Sequence, residues 1–132
     1  MITKVRLINF RSYKDDELSL RSPTLLIGPA GSGKSNFFKS LVFLQTSIHR
    51  SLVEMFPPGL GEFVWVRNRL AQETDPVGIE VELENMEEFP ENKARYHLEI
   101  AEGPEKLYVL SETLSRTCDS GPEDWVFKRV KQ

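Results

Sequence analysis

The stretch Gly28-Pro29-Ala30-Gly31-Ser32-Gly33-Lys34-Ser35 matches the pattern G-x-x-x-x-G-K-[ST] at every fixed position. Glycines let a backbone bend so that successive N–H groups converge on one concavity, and such a concavity holds an anion. A helix starting near Gly33 would aim the positive end of its dipole at the same point. Lys34 supplies a point charge for the β- and γ-phosphates, and the Ser35 hydroxyl supplies a ligand for the Mg²⁺ that bridges them. The residues therefore predict a seat for the polyphosphate of a nucleoside triphosphate. It is built from Gly28, Ala30, Gly31, Ser32, Gly33, Lys34 and Ser35, with Lys34 in the catalytic role and Ser35 holding magnesium.

The flanks suit such a loop. On its N-terminal side, Thr24-Leu25-Leu26-Ile27 is a continuous apolar run, which predicts a short strand buried on both faces. On its C-terminal side, Phe37, Leu41, Leu44, Ile48, Leu52 and Met55 recur at three- and four-residue steps. That spacing predicts one helix from Lys34 to about Phe56. Pro57-Pro58-Gly59 would end it, because proline cannot continue the backbone hydrogen bonding.

Further out, residues 2–10 alternate Val5 and Leu7 with Lys4 and Arg6, which reads as a strand. Residues 11–16 are polar and predict a turn, with Asp15, Asp16 and Glu17 in a polar hairpin rather than a catalytic cluster. Residues 17–21 alternate again and predict the hairpin partner. Residues 60–74 are left open, with 63–67 as a short segment.

After Asp75-Pro76 the character changes. Val77, Ile79, Val81 and Leu83 alternate with Gly78, Glu80, Glu82 and Glu84, and Tyr96, Leu98 and Ile100 alternate with Arg95, His97 and Glu99. Residues 107–112 and 125–130 read as further strands. Turn-forming residues at 89–92, 102–105 and 119–122 separate them, so this part predicts an antiparallel meander. Glu80, Glu82 and Glu84 read as the solvated face of an edge strand, and His97 and His49 as surface residues.

Charge is divided in the same way. Residues 1–70 hold 10 Lys/Arg and 5 Asp/Glu (+5), and residues 71–132 hold 7 and 15 (−8), giving the net −3 of the 132-residue chain. The basic half carries the phosphate motif, as anion binding favours. The acidic half argues against broad nucleic-acid binding there. Arg67 and Arg69 beside Trp65 resemble a nucleic-acid patch by composition alone. No apolar run approaches the ~20 residues of a membrane span, and the start of the chain lacks the apolar core of a secretory signal. A single cysteine, Cys118, forms no internal disulfide and has no neighbours at metal spacing, which fits a cytoplasmic protein.

Hydrolysis needs an acidic residue at the end of a second buried strand. The nearest match is Leu107-Tyr108-Val109-Leu110-Ser111-Glu112, in which Ser111 intervenes and which lies in the antiparallel half. No L-S-G-G-type stretch occurs; Leu114-Ser115-Arg116 lacks its glycines. The chain ends at Gln132 directly after a predicted strand, which reads as cut rather than finished.

The run Val5-Arg6-Leu7-Ile8-Asn9-Phe10-Arg11-Ser12-Tyr13, a following strand, and then residues 28–36 resemble the N-terminal lobe of SMC/RecF-like ABC ATPase heads. The closest flavour is the bacterial AAA-like, OLD-related predicted ATPases, and the specific part of the likeness covers the first 45 residues. The resemblance implies ATP as the ligand with Mg²⁺, and a dimer that sandwiches each nucleotide between one P-loop and the other head's signature motif. It implies nucleotide contacts from Arg11, Ser12 and Asn36, and service in DNA repair, chromosome handling or anti-phage defence. The family commonly carries Asn where this chain has Ala30.

The expected fold is thus α/β, a P-loop NTPase of the ABC lobe I type. It has a mixed central sheet containing the P-loop strand, one long helix, and an antiparallel β subdomain. Residues 1–74 form the P-loop core and 75–132 the β-rich part of a partial head. The expected function is ATP binding, with hydrolysis in a complete protein once a Walker B and signature half is supplied by a homodimer, a C-terminal half or a partner chain. DNA is a further partner of that complete protein, and the membrane is not one. The alternative is a stand-alone nucleotide-binding module without hydrolysis. A small-molecule kinase lacks an arginine-bearing lid and an acceptor pocket.

Overall fold

Alternation in residues 2–10 and 77–83 sorts side chains onto two faces, and the computed structural model shows what each face meets. It describes residues 1–57, 62–84, 92–104, 106–118 and 125–130; of 62, 92, 117, 118 and 125–130 the backbone alone is described. Six strands form one antiparallel sheet: β1 Ile2–Phe10, β2 Tyr13–Ser19, β3 Val77–Leu83, β4 Asn92–Glu102, β5 Leu107–Cys118 and β6 Trp125–Val130. Their spatial order is β2-β1-β3-β4-β5-β6. Val5 pairs with Val81, Leu7 with Ile79, Ile79 with Leu98 and Val77 with Ile100. All of these side chains are buried on one face. Helix α1 Lys34–His49 brings Phe37 and Leu44 to that core, and the short α3 Glu62–Val66 brings Phe63 and Val66. Burying each such side chain contributes about 1.5–3 kcal/mol, which is what fixes the register.

The opposite face is charged and paired. Arg6 bonds Asp15, Lys4 lies 3.3 Å from Glu17 and 3.7 Å from Glu82, and Arg95 bridges toward Glu80 and Glu82. The predicted solvated face of Glu80, Glu82 and Glu84 is present, but β3 is an interior strand, not an edge. Interior placement is tolerated because Lys4, Arg95 and Lys93 sit opposite these carboxylates. His97 is half-buried between Glu80 and Glu99 rather than at the surface.

Four further expectations are corrected. The sheet of the described residues is wholly antiparallel, not mixed. Residues 24–27 join no ladder: Leu25 is 80% and Ile27 84% exposed, and only Leu26 packs against the core. A continuous apolar run signals burial only if neighbouring strands exist to cover it, and β2 is followed instead by a turn in which the Arg21 amide bonds Thr24 Oγ1 at 2.8 Å. Residues 13–16 belong to strand β2, so the turn shrinks to Arg11 and Ser12; Asp15 and Glu17 are held in the strand by cross-strand partners Arg6 and Lys4. The long helix breaks at Arg50. Ser51 then starts α2 Leu52–Met55 with a reciprocal capping box to Glu54. The cap outcompetes continuation, and Ile48 is left exposed. The helix stop at 58–59, turn residues 89–91, 105 and 119–122, and the side chain of Cys118 lie outside the described residues.

Candidate functional site

Two glycines turn the chain into α1. Gly31 and Gly33 both have left-handed backbones, φ 82° and 95°, a region that costs a side-chain-bearing residue about 1–2 kcal/mol. Gly33 is the residue before the first helical turn, and no side chain caps it. The first-turn amides of a helix have no intrahelical acceptor. Here they face the loop with their dipoles aligned over a helix of 16 residues.

Lys34 folds back over the loop it follows. Its ammonium donates to the carbonyls of Gly28 and Pro29, both at 2.6 Å, and to Ser32 Oγ at 3.0 Å. An ammonium has three N–H bonds, and all three are used. The cation is thereby held across the loop.

The loop is braced against the sheet. The Tyr13 hydroxyl donates to the Gly33 carbonyl at 3.1 Å, and Asn36 Nδ2 donates to Ser12 Oγ at 2.9 Å. Burial, with the charge of Asp16, holds the Tyr13 hydroxyl above its ordinary pKa, so it stays a donor at neutral pH. The two-residue turn carrying Arg11 and Ser12 is itself pinned: the Arg11 amide bonds the Val66 carbonyl at 2.7 Å, and the Asn68 amide bonds the Asn9 carbonyl at 2.8 Å. Arg11 takes a left-handed backbone, φ 52°. Such strain in a non-glycine residue persists only where the surroundings impose it. Beside this turn opens a cleft of about 500 Å³ whose walls include Arg11, Ser12, Asn36, Trp65 and Leu70.

The structure thus brings Arg11, Ser12 and residues 28–36 to one corner, where the β1–β2 turn meets the start of α1. Arg67, Arg69 and Trp65 line one cleft, but Arg67 is not free surface charge. Its side chain is 6% exposed, bonded to Glu102 at 2.8 Å and lying 5.1 Å over the Phe63 ring. Glu112, the nearest match for a catalytic acid, accepts a hydrogen bond from the Tyr96 hydroxyl at 2.8 Å in β5, three places along the sheet from β1. Among the described residues no group of three or more His, Cys, Asp or Glu is placed to hold a metal, and no helix is long and apolar enough to cross a membrane. Trp65, which the sequence groups only with Arg67 and Arg69, is exposed between the core residues Phe63 and Val66 and lines the same cleft as Arg11, Ser12 and Asn36.

Residues 1–113 match the model of the AAA ATPase domain family. The match spans most of the chain, and the chain belongs to that family. No curated protein matches it. Membership supports a nucleotide-binding, ATPase-like protein of the P-loop class.

Proposed function

We propose that the loop of residues 28–35 binds ATP with Mg²⁺, as the N-terminal part of an SMC/RecF-like ABC ATPase. One observation carries this reading: two left-handed glycines lead into an uncapped helix N-terminus, with the Lys34 ammonium held across the loop. The residues fit a polyphosphate. Amides of the loop and first turn donate to the β-phosphate, and Lys34 exchanges loop oxygens for the β- and γ-phosphate oxygens at little cost, since its loop bonds are solvent-exposed. Asn36, tied to Ser12, sits one residue beyond Ser35 and borders the nucleoside side of the site. Mg²⁺ would be held by the Ser35 hydroxyl together with phosphate oxygens, and bound there it neutralises phosphate charge.

Hydrolysis in this reading belongs to the complete ATPase. The acidic and signature elements come from a C-terminal half, a homodimer or a partner chain, in a cytoplasmic protein whose further partner is DNA. Exposure of Leu25 and Ile27 beside the loop supports a further covering element. A second reading, nucleotide binding without hydrolysis, is favoured by the engagement of Glu112 with Tyr96 inside the meander.

Calorimetric titration of ATP in the presence of Mg²⁺ tests the binding site. Lys34→Ala is expected to weaken binding at least about tenfold, ~1.4 kcal/mol. Equal affinity of the two chains would remove the loop from the reading.

A further inference from the structure

Asn68 is a buried polar residue, 7% exposed, just after α3, and each of its polar groups has a partner. Its amide donates to the Asn9 carbonyl at 2.8 Å, and its carbonyl accepts from the Ala71 amide at 3.0 Å. In the side chain, Nδ2 donates to the Tyr13 carbonyl at 3.1 Å and Oδ1 accepts from the Leu70 amide at 2.9 Å. A carbonyl only accepts and an amide N–H only donates, so these partners call for a side chain that offers a donor and an acceptor together.

Asn9 and Tyr13 lie on either side of the β1–β2 turn, where Phe10 pairs with Tyr13. Asn68 therefore grips the hairpin on both sides of its turn, from a segment 55 residues further along the chain. That segment is itself anchored, because the neighbouring Arg67 bonds Glu102 at the end of β4 at 2.8 Å. Tyr13 carries the constraint onward. Its hydroxyl donates to the Gly33 carbonyl at 3.1 Å, and the same carbonyl accepts the Phe37 amide at 3.0 Å. Both lone pairs of that oxygen are engaged, so the peptide leading into α1 is held by the helix and by the sheet at once.

We propose that Asn68 is a positioning residue for the loop of residues 28–35, acting through Tyr13 on Gly33, a role that rests on the reading of that loop as the phosphate seat. A site that holds its binding shape only part of the time binds more weakly in proportion to that fraction. The relay Asn68–Tyr13–Gly33 raises the fraction. It ties the shape of the loop to the packing of residues 66–68, far from it in sequence.

The test uses inorganic tripolyphosphate with Mg²⁺, titrated calorimetrically into the wild-type chain, Lys34→Ala, Tyr13→Phe, Asn68→Ala and the double variant Tyr13→Phe/Asn68→Ala. Circular dichroism at the titration temperature establishes that each is folded. Ile79→Val, a core substitution outside the relay, is the control for lost stability alone. Tyr13→Phe and Asn68→Ala are each expected to weaken binding about fivefold. The double variant is expected to lose no more than the weaker-binding single variant, because the two residues act in series. Ile79→Val is expected to lower the melting temperature and to change affinity less than about twofold. Tyr13→Phe removes one hydroxyl from a half-buried ring and decides the matter where Asn68→Ala is poorly folded. Unchanged affinity in Tyr13→Phe or in folded Asn68→Ala, with binding lost in Lys34→Ala, overturns the relay and leaves the phosphate seat standing. Losses that multiply in the double variant also overturn it, since Asn68 would then act by a route other than Tyr13. A wild-type chain that binds no tripolyphosphate takes down the phosphate seat and the relay together.

Discussion

The Tyr13 hydroxyl donates to the Gly33 carbonyl at 3.1 Å, so the edge of the sheet is bonded directly to the residue that precedes α1. The contact is tight enough that a side chain on Gly33 would have to displace its neighbours by a few tenths of an ångström. A Cβ on Gly33 would lie 3.2 Å from both the Tyr13 hydroxyl and Ser12 Oγ, whereas a Cβ on Gly31 would meet nothing within 4 Å. Both positions have positive φ, so both pay the same backbone strain. Gly31→Ala should therefore cost about 1 kcal/mol, and Gly33→Ala about 2 kcal/mol or more through added crowding. Thermal melting checks this as a fall of roughly 3 °C against roughly 6 °C or more. Equal shifts would mean that the brace is loose.

Arg67 and Glu102 form an asymmetric pair: the side chain of Arg67 is 6% exposed and that of Glu102 41%. Removing the carboxylate strands a buried guanidinium, while removing the guanidinium leaves a carboxylate that water can reach. Glu102→Ala should destabilise by about 1–2 kcal/mol, and Arg67→Met, which keeps a long apolar stem on Phe63, by less than about 1 kcal/mol. Urea denaturation midpoints give the ordering. The reverse order would assign the stability to cation–π packing on Phe63 instead.

Arg6 donates from Nε and Nη2 to the two oxygens of Asp15, at 2.8 and 2.9 Å. That hydrogen bonding, with the charge of the same guanidinium and against desolvation, holds the Asp15 carboxyl below its ordinary range. A depressed carboxyl contributes stability that is fully present above its unfolded pKa, about 4, and is lost as pH falls through the lower folded value. The stability difference between wild type and Asp15→Asn should therefore hold steady from about pH 7 down to about pH 5 and shrink below about pH 4. Urea midpoints across that range report it. A difference that grows on acidification would contradict the pairing.

Much of the geometry of the candidate site was legible because a glycine-rich loop that opens a helix is a local device. Gly31 and Gly33 take positive φ, Lys34 opens α1 and Asn36 lies in its first turn, all within nine residues of chain. The strands of the meander were legible for a similar reason: alternation such as Val77, Ile79, Val81 reports a face at once. Where the reading failed, the competing force was non-local or was a cap. Residues 24–27 looked buried because composition cannot say whether neighbours are present to cover them. Arg67 looked like surface charge until Glu102, 35 residues away, was placed against it. The helix stopped early because Ser51 and Glu54 satisfy each other's backbone groups, a signal present in the sequence but weaker to the eye than the apolar stripe running through it.

Sequence alone determined the bend of residues 28–35, the cation and hydroxyl beside it and the alternating faces of the sheet, since each depends on φ preferences and side-chain chemistry within a few residues. Tertiary structure decided that Arg11, Ser12, Asn36 and Trp65 share one corner. That placement depends on Phe10 pairing with Arg67 and on the Arg11 amide meeting Val66, contacts between segments more than fifty residues apart whose closeness no local pattern encodes.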